Sequence, residues 1–219
     1  MKRFLTNNGL SLAVFGVFFV LLVAHSIVGH LHYNEEQQEH NQPTVTYGEY
    51  LRTGSFLESV GENWESEFLQ MAAYVVLTAF LYQKGSAESN PLPEEKPSDE
   101  PDSQPKADSP WPVKKGGLIL KLYKHSLSIS FIVLFLISFG MHAAGGAAEY
   151  CADQREHGQT DCPSTLQYMG TSQFWFESFQ NWQSEFLAVG SIVVLSIYLR
   201  EKGSPESKAI NDPHSKTGG

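Results

Sequence analysis

An imidazole and a carboxylate held together at the edge of an apolar medium can do three things. They can pass a proton, help to ligate a metal or haem iron, or neutralise each other as a structural pair. This chain carries the combination twice. His25 and Glu67 recur as His142 and Glu185, and each glutamate stands in nearly the same string: NWESEFL at residues 63–69 and NWQSEFL at residues 181–187. Asn63 and Asn181 open the two strings and lie one helical turn before the glutamates, so both belong to the same polar face. Trp64 and Trp182 carry amphipathic rings suited to a membrane–water boundary.

The pairs recur because a whole unit recurs. Leu10-Ser11-Leu12 matches Leu127-Ser128-Ile129 at a spacing of 117 residues, and so do His25 with His142, Gly29 with Gly146 and Tyr33 with Tyr150. Glu39-His40 and Glu156-His157 keep the same spacing. One inserted residue then moves it to 118: Thr46-x-x-Glu49 matches Ser164-x-x-Gln167, Tyr50 matches Tyr168, and Lys84-Gly85-Ser86 matches Lys202-Gly203-Ser204.

These units need a medium. The mean hydropathy of −0.23 suggests a soluble protein, but it averages over sharp segregation. Residues 4–34 and 125–148 contain no Asp, Glu, Lys or Arg, and about 20 helical residues cross a bilayer. Lys2 and Arg3 ahead of the first run resemble a secretory signal, but the same pattern recurs mid-chain, where no signal peptide can be. The expected fold is all-α. Four transmembrane helices, about residues 8–32, 56–84, 118–147 and 174–202, form two tandem helical hairpins of the same orientation. Each hairpin has a short interfacial helix in its outer loop. The hairpins occupy residues 1–85 and 114–203. The linker 86–113 and the tail 204–219 are rich in Pro, Ser and charge and read as disordered.

Lys and Arg set the orientation. The termini and the linker hold nearly all of them, while Arg52 and Arg155 alone fall in the other two loops. Both termini are therefore expected in the cytoplasm, with the chain multi-pass in an inner (plasma) membrane. Cys151 and Cys162 then share an extracytoplasmic loop and are expected to form a disulfide. Depth reinforces the His–Glu layer. Glu67 and Glu185 lie roughly 25 Å of helix from Lys84 and Lys202, and His25 and His142 roughly 24 and 27 Å from Gly9 and Lys124. The reading places His25, Glu67, His142 and Glu185 in one layer near the outer face.

The strings at 63–69 and 181–187, the Lys-Gly-Ser-x-Glu-Ser segments at 84–89 and 202–207, and LYKHSLS at 122–128 resemble an uncharacterised bacterial membrane-protein family, described only by a domain of unknown function. The resemblance spans nearly the whole chain and implies a bacterial inner membrane. It implies no activity, ligand or catalytic residue.

Three functions compete. The first is a non-enzymatic scaffold or accessory protein with no cofactor, in keeping with the absence of nucleotide or hydrolase motifs. The second is a small proton- or ion-coupled transporter using the His–Glu layer; four helices enclose little volume, so this form calls for a homo-oligomer. The third is a haem-binding electron-transfer protein with His25 and His142 as axial ligands. The partner common to all three is the lipid bilayer. Nucleic acid is excluded as a partner by a net charge of −9 and the absence of a phosphate loop.

Overall fold

A long apolar stretch without proline can satisfy all of its backbone within the segment itself only as a helix. A computed structural model describes residues 2–93, 105, 108–156, 158 and 162–218, and among them every regular element is helical. In chain order these are α1 (Lys2–Glu39), α2 (Tyr47–Tyr50), α3 (Gly54–Phe80), α4 (Trp111–Lys115), α5 (Gly117–Lys124), α6 (Ser126–Glu156), α7 (Thr165–Tyr168) and α8 (Ser172–Tyr198). Two of them, α1 and α6, are long and apolar enough to cross a membrane, and little of their apolar length is buried. Helices α3 and α8 have 27 residues each, about 40 Å of helix, but mix Glu, Gln and Asn into their first halves.

The helix bounds depart from the expectation in three places. The third long helix is not continuous from residue 118: α5 stops at Lys124, His125 caps it, and α6 starts afresh at Ser126. Helices α1 and α6 run on to Glu39 and Glu156. Helices α3 and α8 stop at Phe80 and Tyr198, one turn short of Lys84 and Lys202. The cause of the early stop is local. Gly85 (φ 84°) and Gly203 (φ 88°) turn the chain back, a conformation natural to glycine. Ser89 Oγ then accepts from the Gln83 N–H at 2.9 Å, and Ser207 Oγ from the Glu201 N–H at 2.9 Å. The donors of a last helical turn are thereby spent on the Lys-Gly-Ser-x-Glu-Ser turn.

The chain divides into two units, the first Met1–Gly61 with Gly140–Phe174 and the second Glu62–Phe139 with Trp175–Gly219. The first buries Tyr50, Val60, Ala143, Ala147, Tyr168 and Phe174. Its Cys151 and Cys162 form a disulfide, closing the loop after α6. The second buries mainly polar residues, among them Glu65, Ser66, Ser86, Ser196 and Lys208.

Part of the linker, residues 94–104 with 106 and 107, lies outside the described residues, as does His157. The tail, which composition reads as disordered, is tied down in the second unit. The Lys208 ammonium donates to the carbonyls of Gly85, Pro213, His214 and Lys216. The Gly85 N–H donates to Thr217 Oγ1 at 3.0 Å, and the Gly218 N–H to the Ser86 carbonyl at 2.9 Å. Composition could not reveal this, because the order comes from a single buried cation gathering four carbonyls.

Candidate functional site

The first unit is built around two tyrosines delivered by two capping boxes. At α2, Thr46 Oγ1 accepts from the Glu49 N–H while Glu49 Oε2 accepts from the Thr46 N–H at 2.7 Å. At α7, Ser164 and Gln167 repeat the arrangement, with the Ser164 N–H donating to Gln167 Oε1 at 2.8 Å. Each box satisfies the orphan donors of one short turn and points Tyr50 or Tyr168 inward; both are buried. The two hydrogen bonds from Thr46 hold the Glu49 carboxyl below the usual carboxylate range. Just downstream, Thr53 Oγ1 donates to the Tyr50 carbonyl and Thr171 Oγ1 to the Tyr168 carbonyl, both at 2.7 Å.

Glycine makes room for these rings. A Cβ at Gly29 would lie 2.2 Å from Tyr50 Oη, and one at Gly146 would lie 2.4 Å from Tyr168 Cε1. The rings then continue in series. His25 meets Phe56 at 6.1 Å between centroids, Phe56 meets Tyr50 at 5.5 Å, and Tyr50 meets Tyr33 at 5.7 Å. The second series runs His142 to Phe174 at 4.6 Å, Phe174 to Tyr168 at 5.8 Å, and Tyr168 to Tyr150 at 6.0 Å. On the α2 side the clamp is tightened by Ser26 and Tyr47, whose hydroxyls are 2.7 Å apart. It is tightened again by Asn34, which exchanges two hydrogen bonds with the Val45 backbone. Burial, with the Glu149 carboxylate nearby, pushes the Tyr50 phenol up.

The start of α3 lies against α6 at backbone distance. A Cβ at Gly61 would sit 2.4 Å from the His142 nitrogen, and one at Gly145 would sit 2.3 Å from the Glu58 nitrogen. This contact sets Glu58 beside the fully buried His142; their nearest ligand atoms are within 4.8 Å. Glu58 Oε1 accepts from Tyr168 Oη at 3.0 Å. Glu58 also lines a cavity of 270 Å³ with Tyr33, Glu36, Glu149, Tyr150 and Asp153. Tyr33 and Tyr150, and Glu36 and Asp153, are pairs at the 117-residue spacing.

The residues singled out by sequence fall on both units. His25 and His142 belong to the first; Asn63, Trp64, Glu67, Asn181, Trp182 and Glu185 belong to the second. His25 is exposed, its Nε2 3.4 Å from Ser59 Oγ. Glu67 is exposed and Glu185 half-buried, and the Glu185 backbone carbonyl accepts from Gln70 Nε2 at 3.4 Å. The buried carboxylate of NWESEFL is Glu65, which accepts from Trp182 Nε1 at 2.9 Å. Asn181 Nδ2 donates to Glu62. So Asn181 and Trp182 are donors to glutamates, Glu62 and Glu65, while Glu67 is exposed.

Sequence comparison passed over Glu58, Glu62 and Glu65 because their counterparts at the 118 spacing are Phe176, Gln180 and Gln183. The available signal was helical: 58, 62 and 65 follow steps of four and three, one face of a helix.

A family model described as Domain of unknown function (DUF6766) matches residues 1–219. The chain belongs to this family. No curated protein and no solved structure matches it.

The second unit of this DUF6766 chain has a carboxyl pair of its own. Tyr74 Oη donates to Glu88 Oε2 at 2.5 Å, in the first Lys-Gly-Ser-x-Glu-Ser turn. Burial raises the Glu88 carboxyl; the Tyr74 hydrogen bond opposes the rise, and Glu206 of the second turn adds to it. A carboxyl raised in the folded state contributes stability that is complete below its unfolded pKa and is lost as pH rises through the folded value. The thermal midpoint should therefore fall as pH rises above the ordinary carboxylate range, and Glu88→Gln should flatten that fall. Parallel pH profiles for wild type and Glu88→Gln would count against this account.

Proposed function

We propose that this protein is a non-enzymatic scaffold or accessory protein of a bacterial inner membrane. In this reading α1, α3, α6 and α8 all span, as two parallel tandem hairpins, and both termini and the linker are cytoplasmic. The observation that carries the reading is the twice-built clamp in the first unit: capping box, buried tyrosine, facing glycine and a His–Phe–Tyr–Tyr series, at equivalent positions of two repeats. Such a clamp fixes an outer loop onto a spanning helix and leaves little freedom for a moving gate. The exposed apolar lengths of α1 and α6 support lipid as the solvent for the rest. The Lys and Arg asymmetry supports the orientation.

Cysteine accessibility tests the topology. A cysteine at Ser98, the native pair being bridged, should resist impermeant maleimide in intact cells and react once the inner membrane is opened. Labelling in intact cells would overturn the orientation.

The ion-coupled reading draws on one observation, the outer cavity whose walls include Glu36, Glu58, Glu149 and Asp153. Proteoliposome flux that is present in wild type and lost in Glu58→Gln would replace the scaffold with a conductor.

A further inference from the structure

The segment 111–124, WPVKKGGLILKLYK, contains four lysines and no acid. As α4 and α5 it is separated from its neighbours at three points. Pro110 precedes it, Gly116 (φ 70°) and Gly117 (φ 59°) break it in the middle, and His125 caps it away from α6. Lys121 and Lys124 are one turn apart and share one edge of α5. Leu118, Leu122 and Tyr123 occupy the wide remaining face and are exposed, as is Trp111 at the head of α4. An eight-residue helix with an apolar face, a lysine edge and a tryptophan nearby has the composition of an interfacial helix, not of a spanning one.

We propose that α4 and α5 lie on the inner leaflet as an anchor selective for anionic phospholipid headgroups, phosphatidylglycerol in the test below. The apolar face enters the acyl boundary and Lys114, Lys115, Lys121 and Lys124 meet the phosphates. The proposal rests on the membrane reading above. Charge complementarity selects the occupant: a basic edge beside an apolar face matches an anionic lipid surface, where each lysine is worth roughly fivefold in affinity. The His125 junction separates α5 from α6, which begins only at Ser126, and the two glycines separate α4 from α5.

The test uses the full chain in neutral detergent with equal amounts of phosphatidylglycerol and phosphatidylcholine, bound lipid being counted by native mass spectrometry. Wild type should favour phosphatidylglycerol by at least about tenfold. Replacing Lys114, Lys115, Lys121 and Lys124 by glutamine should abolish the preference, while Lys84→Gln with Lys202→Gln should leave it intact. Equal retention of the two lipids, or a preference indifferent to the four lysines, overturns the anchor. A preference that emerges only when the acidic stretch 94–108 is deleted also overturns it, since the chain's own linker would then be the occupant. Carbonate extraction of the same proteins from membranes separates the two readings. Release into the carbonate supernatant defeats the spanning reading whatever the lipid preference, and resistance to extraction with no preference defeats only the anchor.

Discussion

Alanine at Gly61 or Gly145 should cost about 3 kcal/mol or more, while alanine at Gly140 or Gly190 should be neutral or mildly stabilising. All four glycines are helical and all four changes add one methyl group. What differs is the space. At Gly61 the added carbon would fall 2.4 Å from the His142 nitrogen and 2.9 Å from its Cα. At Gly145 it would fall 2.3 Å from the Glu58 nitrogen and 2.7 Å from its Cα. Those are backbone atoms of a facing helix, so no rotamer change relieves the clash and the two segments must part. Parting them also moves Glu58 off Tyr168 and uncovers His142. At Gly140 and Gly190 nothing lies within 4 Å, and there alanine's better helix propensity, worth up to about 1 kcal/mol, acts alone. Thermal midpoints in one detergent would decide the matter; similar values for all four variants would mean that the close approach is not what holds these segments together.

The sequence made some of this legible and hid the rest for identifiable reasons. Both capping boxes could be read from Thr46-x-x-Glu49 and Ser164-x-x-Gln167, because the motif is local and its two hydrogen bonds need nothing from elsewhere. The run AAGGAA at 143–148 suits close helix packing, but glycine on one helix does not specify which backbone will approach it. In the first string the buried carboxylate is Glu65, two residues from the repeated Glu67. Repeat matching favours identical positions, so it favoured Glu67 over Glu65, whose counterpart is Gln183. The face of a helix is set by angle, however, and two residues is more than half a turn. Glu58 is hidden from repeat matching for the same reason, its counterpart being Phe176. The ordered tail was illegible because average composition cannot register one buried lysine.

That difference between matched positions leads to the second large effect. Phe174→Ala should cost about 3–5 kcal/mol, and Phe56→Ala at the matching position clearly less. Phe174 is fully buried and Phe56 only half-buried. Phe174 also carries more. His142 stacks on it with ring planes 27° apart, and Tyr168 meets it edge-on. Around Phe56 the corresponding histidine, His25, is exposed and its ring stands farther off, at 6.1 Å. Removing the Phe174 ring therefore opens a cavity and strips one face from a buried imidazole. Removing Phe56 uncovers one side of the buried Tyr50 ring but changes little for His25, which is exposed already. If the His142–Phe174 stack is the reason, Phe174→Ala and His142→Ala should not add: the double variant should cost less than the sum of the singles. The matching pair, His25→Ala with Phe56→Ala, should come close to additivity. Equal losses at Phe56 and Phe174, or strict additivity at both pairs, would mean that the two clamps are energetically equivalent and that the burial of His142 contributes nothing of its own.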